Sequence, residues 1–318
     1  GCAAPAQAPR DLRAEAPVID AAAPPEPDLA LPDLAPRPRW VPVASNATAD
    51  LWAVWGAGID DLYAVGDSGA ILHAEGGGVS WRPQRSGTDA ALYDVKGVGR
   101  SPVYAVGAGP AVLRTMDRGA KWEKIGPMPT GGVALGLWAS AELLLCAGAG
   151  GAVLRSDDGG ASWTSHQAGA DELHALWSLG GALLAVGRGG AAWSSADGRA
   201  WRAVDSGVRK DLYGLWGART GDLYVAGGGG GLYVAAPEQA FRAQPSGTAA
   251  RLLGLWGTGG GELIAVGDGG TILRSLDYGV SWTREESGTI ARLAGVWGLR
   301  SGEVFVVGEG GTILMQAQ

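Results

Sequence analysis

The chain has 318 residues, a net charge of −7 and no basic block, which excludes a general nucleic-acid surface, because such a surface needs clustered cations. No apolar run approaches the roughly 20 residues of a membrane helix, and two cysteines in the whole sequence exclude a disulfide-dense scaffold. Turns and aromatic packing must therefore carry the fold, and 56 glycines and 14 tryptophans supply both.

Residues 1–38 differ from everything that follows. Ala, Pro and charge dominate them and no aromatic occurs, so they cannot bury a core and are expected to form a disordered linker. Gly1-Cys2 resembles the junction of a bacterial lipobox, where glycine precedes an acylated cysteine. On that resemblance Cys2 is the expected lipid attachment and residues 1–38 a tether. Ala3 after the cysteine, by resemblance to lipoproteins of diderm bacteria, implies the outer membrane. The competing reading is an incidental cysteine.

From Trp40 onward one phrase recurs, and its clearest copy is 251–289. It holds four short apolar runs, 252–256, 262–266, 271–274 and 281–284, each bounded by Gly, Asp or Ser. That is the mark of strand–turn–strand, and no sustained 3.6-residue period suggests a helix. The anchor that ends the first run appears as Trp55-Gly56, Lys96-Gly97, Trp138-Ala139, Trp177-Ser178, Trp216-Gly217, Trp256-Gly257 and Trp297-Gly298. The spacing, about 39 to 42 residues, is that of a four-stranded propeller blade. A second anchor, the glycine closing the second run, stays in phase at Gly66, Gly107, Gly148, Gly187, Gly227, Gly267 and Gly308.

The last repeat stops after its third run, while Trp40-Val41-Pro42-Val43 matches the fourth run of the first repeat, Trp81-Arg82-Pro83-Gln84. The expected fold is all-β: a single seven-bladed β-propeller over 39–318, with four-stranded blades and an N-terminal strand closing the last one. Closure removes the exposed strand edges of an open array. Two residues before each anchor stand Ala53, Asp94, Gly136, Ala175, Gly214, Gly254 and Gly295, small in six cases, as crowding of innermost strands around an axis demands.

Between the third and fourth runs, three repeats carry Ser/Thr-x-Asp-x-Gly-x-x-Trp: Thr115, Asp117, Gly119 and Trp122; Ser156, Asp158, Gly160 and Trp163; Ser275, Asp277, Gly279 and Trp282. Blade four has a shortened copy over 195–201, and blade five has Phe241 in the tryptophan place. The pattern resembles the Asp-box, or bacterial neuraminidase repeat, of sialidases, sortilin-type propellers and photosystem II assembly factor-like propellers. The whole phrase is most similar to the last group and its relatives in non-photosynthetic bacteria. The resemblance implies that these twelve residues are structural turn residues at the blade periphery. It also implies a protein that binds or helps assemble another protein. A photosystem role is not implied.

A chemical site is hard to find. Sialidase chemistry needs an arginine cluster, a Tyr nucleophile with a Glu partner and an acid/base Asp. Here Tyr63, Tyr104 and Tyr224 recur at one strand position, as packing residues do, and no Arg-Ile-Pro-like segment precedes the first box. A carbohydrate-binding or sialidase-like reading survives only as the alternative. Trp52 and Trp193 stand outside the repeat positions, and either would favour a glycan if exposed on the loop face. His73, His166 and His174 form no ligand-spaced cluster, the glycines 227–231 precede no helix, and neither a metal nor a cofactor is expected. Cys146 aligns with small core residues.

Surface charge remains. Turns between second and third runs offer Asp67, Arg188, Asp268 and Glu309, and links between blades offer Asp89, Arg209, Lys210, Arg251 and Arg292. In propellers these two sets share a face, the expected docking surface for a protein partner. Blade two is irregular: Lys96 replaces the anchor Trp and Asp94 the small residue two before it, so the two can pair on one strand face beside the channel. The expected function is non-enzymatic, an envelope lipoprotein that binds or helps assemble a protein partner.

Overall fold

The computed structural model describes residues 39–109, 112–126, 132–218, 220–235 and 240–317. The tether and Cys2 lie outside the described residues.

Seven four-stranded antiparallel sheets form the body. Blade one is typical, with strands Leu51–Gly58, Asp61–Gly66, Ile71–Glu75 and Ser80–Gln84 running from inside to outside. Blade seven takes three strands from the C-terminal end, Leu293–Gly298, Val304–Gly308 and Ile313–Ala317, and its outermost from Arg39–Pro42. The closing register runs from Arg39 opposite Ala317 to Pro42 opposite Leu314. Trp40 is buried there, and its Nε1 donates to Glu285 Oε2 of blade six at 2.7 Å.

In the blades that carry an Asp-box, full or shortened, the fourth strand begins only after the tryptophan. In blade six the strand is Thr283–Glu285 rather than 281–284, and in blade four it is only Arg202–Ala203. The Asp-box turn claims the residues up to its tryptophan: Trp282 Nε1 donates back to Gly279 O at 3.0 Å.

The core lies between blades. Successive side chains of a strand point to opposite sheet faces, so each blade packs against both neighbours. One cluster joins Tyr63 and Val65 of blade one to Leu92, Val95, Leu113 and Trp122 of blade two. The ring-closing cluster joins Leu51, Leu62 and Trp81 to Phe305, Val307 and Ile313. Tyr63, Tyr104 and Tyr224 are all buried in such clusters, as is Cys146.

The Trp-Gly anchor has a steric cause. A Cβ on Gly97 would run into the ring of Trp55 in the preceding blade. Gly217 stands in the same relation to Trp177, Gly257 to Trp216, Gly298 to Trp256 and, across the closure, Gly56 to Trp297. In these five pairs the indole ring comes so close to the next blade's backbone that a Cβ there would collide with it. The small residues two positions earlier face comparable crowding: a Cβ on Gly136 would sit 2.9 Å from His174 O, and one on Gly295 would sit 2.9 Å from Ala53 Cα.

Candidate partner-binding face and central channel

Every innermost strand carries a β-bulge near its start. The pairing skips one residue between Leu51 and Ala53, and likewise between Leu92 and Asp94, Ala134 and Gly136, Leu173 and Ala175, Leu212 and Gly214, Leu252 and Gly254, and Leu293 and Gly295. A bulge re-aims the extra side chain. Here the skipped residues are Trp52, Tyr93, Leu135, His174, Tyr213, Leu253 and Ala294, and all seven line the central channel, a cavity of about 410 Å³. They form one mouth of it, on the side of the turns that join second to third strands. The Asp-box turns lie at the opposite end.

Those turns are single 3₁₀ turns in six blades. In blade one the turn is Asp67–Gly69, with Ser68 at φ 55° and Gly69 at φ 69°. A Cβ on the second glycine of such a turn would meet the carbonyl of the link to the next blade: Gly270 faces Thr289 O, Gly230 faces Thr248 O and Gly69 faces Thr88 O. The glycine runs, 227–231 among them, thus serve left-handed turns and close backbone approach.

Two polar clusters rise from this mouth. At the closure, Trp52 Nε1 donates to Asp67 Oδ1 at 2.6 Å and the guanidinium of Arg292 lies 4.4 Å over the indole. Arg292 also binds Asp50 at 2.5 Å, and Asp50 accepts the Gly310 amide at 2.9 Å, joining blade one to blade seven. Across the ring, His174 stacks on Tyr213 at 4.9 Å, with Nε2 3.0 Å from Glu172 and Nδ1 2.8 Å from Leu212 O. Tyr213 donates to Asp211, which accepts the Gly189 amide of blade four at 2.7 Å; that amide and, after it, the Tyr213 hydroxyl hold the Asp211 carboxyl below its usual range. Arg251 lies 5.8 Å from the Tyr213 ring and pairs with Asp268 at 3.1 Å.

The charges expected on this face therefore divide. Asp67, Arg251, Arg292 and Asp268 are engaged with their neighbours, and Glu309 accepts the Arg292 amide at 3.2 Å. Asp89, Arg188, Arg209 and Lys210 are exposed, and none of the last three joins an ion pair among the described residues. Arg188 sits on the turn of blade four, and Arg209 and Lys210 on its link to blade five, beside the His174–Tyr213 stack. Of the bulged residues the sequence singled out only Trp52 and His174, and it passed over the bridging carboxylates Asp50 and Asp211. The leucine or alanine opening each innermost strand and, in six blades, the small residue two later mark the bulged position between them, which is the variable one.

At the other end of the channel Lys96 Nζ lies 2.7 Å from Asp94 Oδ1. Asp94 also accepts the amides of Val95 at 2.8 Å and of Leu137, in blade three, at 2.9 Å.

The Asp-box residues hold their own turns. Asp277 accepts from the Ser281 hydroxyl, from the Ser281 amide at 2.9 Å and from Ser275 at 2.7 Å, and these bonds hold its carboxyl down at about 2. Asp158 is held at about 2 by Ser162 and Ser156 in the same way. Asp117 is lowered by the Lys121 amide and then by Thr115. The hydroxyls of Thr115, Ser156 and Ser275 accept the amides of Gly119, Gly160 and Gly279, each at 2.8 Å. Trp163 Nε1 donates to Gly160 O at 3.1 Å, whereas Trp122 Nε1 reaches Gln84 of blade one at 2.8 Å.

The three histidines stand apart. His73 is buried against Asp61 at 2.8 Å, His166 bonds Thr164 on an outer strand, and His174 belongs to the mouth. No group of three or more His, Cys, Asp or Glu suited to a metal occurs among the described residues. Trp193 is half-buried and packs against Gly169, in the link from blade three to blade four.

Residues 38–317 match the family described as photosynthesis system II assembly factor YCF48. No curated protein matches the sequence. Among solved structures, YCF48 from Cyanidioschyzon merolae superposes with a TM-score of 0.72 at 20% identity, covering 87% of this chain and 98% of that one. A structure of YCF48 bound to D1 peptide gives 0.75 at 20% identity, covering 88% and 97%. A streptogramin B lyase gives 0.75 at 10% identity, covering 88% and 97%. At such identities the likeness is one of fold alone, and propellers of one shape serve different chemistries.

Proposed function

The chain belongs to the photosynthesis system II assembly factor YCF48 family, and from that premise we propose that it is a non-enzymatic propeller that binds a protein partner across its turn-bearing face. The observation that carries this reading is the exposed trio Arg188, Arg209 and Lys210 beside the His174–Tyr213 stack. Exposed cations next to a partly buried aromatic ledge suit an acidic, extended segment of a protein, because charge steers the encounter and the aromatics supply contact area. That a YCF48 has been solved with a D1 peptide supports a peptide ligand in this family. The same reading places a lipid on Cys2 and the propeller at the outer membrane, on the strength of the Gly1-Cys2-Ala3 sequence.

The glycan alternative finds less support. Trp52 has one ring face under Arg292 and its N–H engaged with Asp67, so it is not an open stacking platform.

The test is cross-linking of the native protein in envelope membranes, with mass spectrometry of cross-linked and N-terminal peptides. The expected result is a stoichiometric partner cross-linked at the turn face, lost in the Arg188→Ser, Arg209→Ser, Lys210→Ser variant, and a diacylglyceryl mass on Cys2. A partner retained by the triple variant, or no partner, overturns the binding reading, and an unmodified Cys2 overturns the anchor.

A further inference from the structure

The channel end opposite the bulged mouth has its own chemistry. Six blades present a tryptophan there, five of them pressed on a glycine of the next blade, and all six line the cavity. In the seventh place stands Lys96. Asp94 and Lys96 are the only Asp, Glu, Lys or Arg among the described residues that line it.

The pair is not symmetric toward the channel. The Asp94 carboxylate is occupied by two backbone amides, from Val95 and Leu137, in addition to Lys96. It works as a bridge between the innermost strands of blades two and three. The Lys96 ammonium has three N–H donors. One goes to Asp94 and one to Val95 O at 3.3 Å, which leaves the third free. The Lys96 side chain is 30% exposed and that of Asp94 16%, so the cation is the more open of the two.

The blades on either side offer Trp55 and Trp138 at the same strand position. Trp138 lies 5.5 Å from Trp177, ring centroid to centroid. A spare ammonium N–H among indole walls suits a single carboxylate on a flat or branched apolar body. The anion gains a charge-assisted hydrogen bond in a partly desolvated site, and the body packs against the aromatic faces. A cationic ligand would meet Lys96 without an open carboxylate to receive it.

We propose that this end of the channel is a binding site for a carboxylate borne on an aromatic or branched apolar group, with Lys96 as its anion contact. The carboxylate belongs either to a small organic acid or to the C-terminus of a peptide. The site is distinct from the turn-bearing face and does not depend on a partner binding there.

Tryptophan fluorescence of the full chain reports on it directly. The probes are 3-phenylpropionate, 3-phenylpropionamide, and a pentapeptide ending in Phe as its free acid and as its C-terminal amide. The expected result is saturable quenching by one or both acids below about 10 mM and an affinity at least about tenfold weaker for the matching amide. Saturation by 3-phenylpropionate alone assigns a small acid, and saturation by the peptide acid assigns a chain terminus. Lys96→Met, with its fold checked by circular dichroism, is expected to lose the preference for acid over amide. Should that variant fail to fold, the acid–amide comparison on the unaltered chain decides. Equal binding of acid and amide, no saturation by either acid, or an unchanged preference in Lys96→Met overturns the proposal.

Discussion

Gly97 and Ala139 hold the same strand position in adjacent blades, and the difference between them is set by the residue each faces. Gly97 lies under the Trp55 ring. Ala139 follows the blade in which Lys96 has taken the tryptophan's place, so no indole presses on it and a methyl is tolerated. Gly97→Ala is therefore expected to destabilise the propeller by about 1–3 kcal/mol through overpacking. Ala139→Gly, which only adds chain freedom, is expected to cost no more than about 1 kcal/mol. Denaturant titration of both variants checks the contrast, and equal losses would refute the steric account. The Trp-Gly pairs were legible in the sequence as a period. The reason for the glycine was not, because its cause sits in another blade, about 40 residues away in the chain.

At the scale of the turn, Ser275, Asp277, Gly279 and Trp282 act as one unit. Hydroxyl and carboxylate together hold the amides of Gly279 and Ser281. Hydrogen bonds to the ionised form lower the folded pKa of Asp158 and Asp277 from 3.8 to about 2. A depressed carboxyl contributes stability that is present above its unfolded pKa and is lost as pH falls through the folded one. The window is thus between about 4 and 2. Thermal midpoints of the unaltered chain are expected to fall across it, and those of Asp158→Asn, Asp277→Asn to fall less steeply. A parallel pair of curves would show that these turns add nothing to acid stability. A cavity of about 450 Å³ lies where blade four meets blade five, lined by Leu183, Leu184 and the shortened-box residues Ser195, Asp197 and Ala200 of blade four and by Leu223 and Phe241 of blade five. The boxes could be read from their spacing, whereas the bulges could not. An innermost strand such as Leu51-Trp52-Ala53-Val54-Trp55 is apolar throughout, so a skipped residue breaks no alternation. Four of the bulged side chains nonetheless supply the aromatic wall of the mouth.

For the molecule as a whole, closure rests on one short strand. Ile313–Ala317 would be a bare edge without Arg39–Pro42, and Trp40 would leave its place against blade six. A chain lacking residues 1–37 is expected to keep the thermal midpoint and monomeric elution of the full propeller. A chain lacking residues 1–43 is expected to melt lower and to elute in larger species, because exposed edges pair with one another. Size-exclusion chromatography with light scattering separates these outcomes, and identical behaviour of the two truncations would contradict a closing role. The repeat count and the closing strand followed from two in-phase anchors and one orphan segment. The division of the face charges into engaged and free did not, since Arg292 meets Asp50 only when the two ends of the ring come together.

That meeting also sets an order in time. Trp40 bonds a residue 245 positions further along the chain. During synthesis Arg39–Pro42 therefore has no seat until nearly the whole propeller has emerged. Six blades can zip up locally as they appear, but the seventh waits with an open edge for its two ends to find each other. Such late, long-range pairing is slow and exposed to wrong partners. The nascent chain is thus most vulnerable while Ile313–Ala317 and Arg39–Pro42 are still unpaired, when a folding helper that shields one strand edge would protect the entire ring.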